Sequence, residues 1–104
     1  MRLPFALRRR TAPARAAADR VVPARNVVAT VHGSRTVLLD VRKGRYWGLD
    51  EVGSRAWALA QEGHTIAEIV RTMNEEYDAA PGTIEHDVRA FFERLRTQQL
   101  IEVV

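Results

Sequence analysis

The residues in this 104-residue chain best suited to acid–base or metal chemistry are three histidines, His32, His64 and His86. None is paired with a second histidine three or four positions away, so the spacing of a helical zinc site is missing. The chain has no cysteine. That excludes a thiolate metal site, an iron–sulfur ligand set, a disulfide framework and a cysteine nucleophile. There is no G-x-S-x-G, no phosphate-binding glycine loop and no dinucleotide fingerprint. Carboxylates stand side by side at Asp50–Glu51 and Glu75–Glu76, on segments that read as helices, where they serve as caps and solvated faces. The inventory holds no catalytic residue set, no metal set and no cofactor motif. The expectation is a chain that is not an enzyme and needs no cofactor. What remains are recognition residues, above all the adjacent aromatics Tyr46 and Trp47.

Those two aromatics lie in TVLLDVRKGRYWGL, residues 36–49, which reads as two short strands around a turn. Residues 36–41 are apolar and β-branched apart from Asp40. Gly44 can take the positive φ that a short hairpin loop requires. Residues 45–49 form a second, very short strand that runs into a helix start at Asp50. An earlier β-branched run at 25–32, RNVVATVH, supplies a strand before the hairpin. Three strands with short turns make an antiparallel meander.

From Asp50 the apolar period becomes helical. Asp50 is a good N-cap, Val52, Ala56, Leu59 and Ala60 recur at spacings of three and four, and Gly63 ends the helix as a C′ residue. Thr65 and Glu68 form a capping box for a second helix carrying Ile66, Ile69, Val70, Met73 and Tyr77. After the 79–82 break, a third helix from about 83 to 98 places Ile84, Val88, Phe91, Phe92 and Leu95 on its apolar positions. Residues 100–104 are apolar again and could lie back on the sheet or the helices. The predicted fold is α+β, a three-stranded antiparallel meander followed by three helices, winged-helix-like in outline. Asp40 and Trp57 read as structural.

Charge divides the chain. The sequence pI is near 10.2, yet residues 1–20 hold six arginines and one acid, and residues 21–104 hold ten basic and twelve acidic residues. The basic character therefore belongs to the N-terminal segment. Residues 1–24 are read as a flexible extension rich in Arg, Ala and Pro, and residues 25–104 as the domain. Leu3, Phe5 and Leu7 are too few for a signal-peptide core, and nothing approaches a membrane span. A cytoplasmic, membrane-free protein is expected. The third helix balances Glu85, Asp87 and Glu93 against Arg89, Arg94 and Arg96, whereas a major-groove helix carries surplus positive charge. A winged-helix DNA-binding protein is the alternative reading, but nucleic acid is not the expected partner.

A short edge strand with two aromatics also suits peptide binding, since an extended peptide can add a further strand to an open edge. On the residues alone, Tyr46 and Trp47 could equally be core and rim of a small sheet.

The ordered set of features resembles a known family. VLLDVRKGRYWGLDEVGSRAWALAQEG, then TIAEIV, then IEHDVRAFFERLRTQQLI is similar to the PqqD-like proteins, or RiPP recognition elements. The matching residues are Asp40, Gly44 to Trp47, Leu49-Asp50, Trp57, Thr65, Asp87-Val88, Phe91, Leu95 and Leu100-Ile101. The resemblance implies a non-catalytic protein that binds the leader segment of a ribosomally made precursor peptide as an added strand beside the third helix. It implies delivery of that precursor to a separate processing enzyme. Stand-alone members of lasso-peptide biosynthesis are the most similar, which implies a cysteine protease as partner. Members that serve a radical enzyme in pyrroloquinoline quinone formation are the next possibility. The peptide-binding residues this implies are Arg45, Tyr46, Trp47, Gly48 and Leu49 on the strand, with Asp87, Phe91, Arg94 and Leu95 on the helix.

Overall fold

Gly44 sits at φ +67 in the turn between two paired strands, so the hairpin expected from the sequence is present in the computed structural model, which describes residues 19–104. Among the described residues the order is β1 (Val21–Pro23), β2 (Val27–His32), β3 (Arg35–Asp40), β4 (Arg45–Gly48), α1 (Glu51–Gln61), α2 (Ile66–Glu76), α3 (Thr83–Thr97) and β5 (Ile101–Val103). Strands β2, β3 and β4 form an antiparallel sheet in that order. This is the expected α+β arrangement of meander and helices.

One element was missed. The composition places Val21–Pro23 in the extension, but it pairs antiparallel with β5, Val21 opposite Val103 and Pro23 opposite Ile101. Val21 is buried, and Ala24 N–H donates to Leu100 O at 3.0 Å. Strand pairing among the described residues therefore begins before Arg25. Residues 1–18, the bulk of the expected extension, lie outside the described residues. The apolar 100–104 stretch lies back on β1 rather than on the meander.

Local chemistry explains the helix boundaries. Asp50 accepts from Gly53 N–H at 2.7 Å as N-cap of α1, and Gly63 at φ +96 follows its end. Thr65 and Glu68 close the capping box of α2 in both directions, at 3.1 and 2.9 Å. The core joins Leu38 from β3, Trp57 and Leu59 from α1, Ile69 and Met73 from α2, and Val88, Phe92 and Leu95 from α3. Leu100 and Ile101 also belong to it.

Two buried polar groups fix the sheet to its surroundings. Asp40 accepts from the Asn26 amide at 2.9 Å and from the backbone N–H groups of Arg42 and Lys43 at 3.1 and 3.2 Å. Ser54 Oγ accepts from Thr36 N–H at 2.8 Å and donates to Leu49 O at 3.3 Å, tying β3 to the start of α1. No helix among the described residues is long and apolar enough to cross a membrane.

Two outcomes follow. A chain beginning at Arg25 should be about 2–3 kcal/mol less stable in chemical denaturation than one beginning at Asp19, from the lost burial of Val21 and its backbone pairs. The Asn26 amide, then the Lys43 and Arg42 N–H groups, hold the Asp40 carboxyl below its ordinary value of 3.8. A lowered folded-state pKa gives stability that is present above the unfolded value and lost as pH falls through the folded one. The melting-temperature gap between wild type and Asp40→Asn should therefore narrow as pH is lowered through and below 3.8.

Candidate functional site

Strand β4 is the last strand of its sheet, and its ladder to β3 fixes which of its backbone groups are free. Leu49 N–H donates to Thr36 O at 2.9 Å, and the register sets Leu38 opposite Trp47 and Asp40 opposite Arg45. Hydrogen-bonded pairs alternate with non-bonded ones in an antiparallel ladder. Arg45, Trp47 and Leu49 therefore bond inward to β3, and the N–H and C=O groups of Tyr46 and Gly48 point outward along an open edge.

The same alternation separates the two aromatics. Trp47 shares a face with buried Leu38 and packs half-buried against the core. Tyr46 faces the other way, opposite Leu39, with 72 % of its surface exposed. Of the remaining strand residues proposed from the sequence, Arg45 and Gly48 are exposed and Leu49 is buried in the core.

A groove of about 340 Å³ opens where the chain leaves β4. It lies between the first turns of α1 and one face of α3, lined by Asp50, Val52, Gly53, Asp87, Phe91 and Arg94 among others. Its walls are thus two helices, α1 and α3, and β4 immediately precedes the first of them. Three of the four helix residues named from the sequence meet here. Leu95, at 4 % exposure, does not; it belongs to the core.

Phe91 forms the groove's aromatic wall. Its ring stands edge-on to buried Phe92, with centroids 5.0 Å apart. Gly53 makes room for it, because a Cβ there would lie 3.1 Å from Phe91 Cε1 and 3.2 Å from Asp50 Oδ1. The sequence reading passed over Gly53. Its signal was a glycine inside an otherwise good helix, which costs about 1 kcal/mol and calls for a reason.

Three arginines are paired on the surface, among them Arg55 with Glu76 at 2.6 Å and Arg89 with Glu85 at 3.0 Å. Arg96 is likewise held by Glu93. The side chains of Arg45, Asp87 and Arg94 have no ion-pair or hydrogen-bond partner among the described residues. Of the histidines, His64 lies 3.6 Å from Glu62 and 3.5 Å from Glu68 at the start of α2. Among the described residues no cluster of three or more His, Cys, Asp or Glu could hold a metal ion.

The family model for coenzyme PQQ synthesis protein D (PqqD) matches residues 35–101, which span β3 to the first residue of β5. The chain belongs to the PqqD family. A solved structure of TbiB1 in complex with the TbiA(beta) leader peptide is 39 % identical, covers 77 % of this chain and 93 % of that one, and superposes with a TM-score of 0.73. A lasso peptide synthetase B1 complexed with the leader peptide is 22 % identical over 80 % of this chain and 98 % of that one, with a TM-score of 0.74. At that identity it supports the PqqD fold alone. No curated protein matches the chain.

The Gly53–Phe91 contact can be tested directly. Gly53→Ala should leave stability within about 1 kcal/mol of wild type, because the gain in helix propensity offsets the close contact. The Phe91 ring should nevertheless move, read as a change in its ring-proton chemical shifts, with Phe92 shifted less.

Proposed function

We propose that this chain is a non-catalytic, cytoplasmic recognition protein that captures the leader segment of a ribosomally made precursor peptide. The leader adds as a further strand to β4 and places apolar side chains in the groove between α1 and α3. The protein then delivers the precursor to a separate enzyme of lasso-peptide biosynthesis, a leader-removing cysteine protease. The observation that carries this reading is the open backbone edge at Tyr46 and Gly48 leading into the Phe91 groove. It occurs in a chain 39 % identical to a protein solved with a leader peptide bound.

Magnitudes decide how the two parts share the work. Two outward-facing residues offer at most four backbone hydrogen bonds, each about 0.5–1.5 kcal/mol net. Micromolar affinity needs about 8 kcal/mol after the cost of association. Backbone pairing alone falls short. Apolar anchors worth about 1.5–3 kcal/mol each must supply the rest, and the groove has the volume for a few side chains. On this reading the ladder fixes register and the groove supplies affinity. Tethering the precursor then raises its effective concentration at the protease without any contact at that enzyme's active site.

The DNA-binding alternative gains nothing here. Arg89 and Arg96, two of the three arginines on α3, are occupied by acids of the same helix, which leaves little charge for phosphates.

Hydrogen exchange gives the test. On saturation with a leader peptide, such as TbiA(beta), the amides of Tyr46 and Gly48 should become protected. Those of Trp47 and Leu49, already bonded to β3, should change little. Gly48→Pro removes one outward N–H at a position where an edge strand tolerates proline, and should weaken binding about fivefold or more. Uniform protection across β4, or none, would contradict strand addition.

A further inference from the structure

The unpaired charges around the groove are ordered along α3. The contact of Gly53 with Phe91 sets the first turn of α1 against the middle of that helix. Asp87 stands one turn before Phe91 and Arg94 about one turn after it, and both line the groove. Lys43 Nζ donates to Gln99 Oε1 at 3.5 Å, which places the β3–β4 turn, and Arg45 just beyond it, at the C-terminal end of α3. Along α3 the groove therefore runs from an acid at Asp87 to a base at Arg94, with Arg45 outside the lining on the basic side and Asp50, its carboxyl taken by Gly53 N–H, on the α1 wall.

We propose that this polarity selects the direction of the bound strand. The site takes extended peptides whose apolar segment has an acidic residue toward the β3–β4 turn and a basic residue toward Asp87, and rejects the reverse order. The inference rests on the leader-binding reading and adds to it the charge pattern of the ligand. Asp87 and Arg94 lie seven residues apart, about 10.5 Å along a helix. An extended peptide covers that span in about three residues, so side chains two or four positions apart on its groove-facing side can meet both charges. Direction matters because backbone pairing is nearly indifferent to it, parallel and antiparallel ladders being of similar strength. Charge placed asymmetrically can decide between them.

Arg94 also complements the dipole of α3, as a base in its last turn. A helix-stabilising role alone predicts a change in melting temperature and none in peptide preference.

The test is a display selection of randomised fourteen-residue peptides against the full chain and against the charge-exchanged variant Asp87→Arg/Arg94→Glu. The neutral variant Asp87→Asn/Arg94→Gln serves as a second probe should the exchanged one fold poorly. Wild type should enrich peptides with the acid and base in one fixed order about an apolar segment. The exchanged variant should enrich the opposite order, and the neutral variant should show no order. Resynthesising the best wild-type peptide with its acid and base exchanged should weaken binding about tenfold at low salt and less at 0.5 M. Peptides enriched without charge order, or the same order from both charged forms, would overturn the inference and leave leader binding standing. Failure to enrich any peptide over a protein-free control would overturn the leader-binding reading and the inference with it.

Discussion

Each residue of an antiparallel strand directs its backbone N–H and C=O to one side only, and β4 is the end strand of its sheet. That constraint organises the site. Arg45, Trp47 and Leu49 are committed to β3 by the register with Asp40, Leu38 and Thr36, so Tyr46 and Gly48 must face outward. A shift of one residue would exchange the two sets and turn Trp47 off the core. The register is held at both ends. Asp40 gathers Asn26 and the N–H groups of the following turn at one, and Ser54 ties Thr36 to Leu49 at the other. Both anchors are buried. The buried Ser54 hydroxyl thus helps to fix the position of the open edge relative to α1, together with Leu38 in the shared core.

The groove depends on that junction. Because Asp50 caps α1 immediately after β4, the first turn of α1 is carried against α3, and Gly53 lets the Phe91 ring close in. The backbone edge of β4 is then followed by a groove wall on which Arg94, Phe91 and Asp87 succeed one another along α3. The parts differ in what they can contribute. Backbone groups recognise any extended chain, the apolar wall rewards bulk, and the charges discriminate.

Much of this was legible in the sequence because it is local. The meander followed from β-branched runs and Gly44, and the helices from their caps, since Asp50, Thr65, Glu68 and Gly63 each act on backbone within a few residues. What escaped was long-range. Val21–Pro23 carries no strand signal of its own, being three residues with a proline in an Arg/Ala/Pro-rich stretch, and becomes a strand only through β5 some 80 residues later in the chain. The helical period gave the apolar positions of α3 correctly but could not divide them. Leu95 and Phe91 differ by one turn, yet one is sealed in the core while the other borders a groove, a distinction made by the approach of α1. Strand alternation did carry a usable signal, since adjacent Tyr46 and Trp47 cannot share a face, and that signal separates the aromatic in the core from the one in solvent.

The family match and the 39 % identical leader complex give the fold a function to be tested, and the geometry says where to look. The most direct measurement is a crystal structure of the chain with its leader peptide bound. The account predicts an additional strand on β4, its backbone hydrogen-bonded to Tyr46 and Gly48 and its apolar side chains against Phe91. A leader seated on the helices with those two residues unpaired, or one paired to the opposite edge at β2, would contradict it.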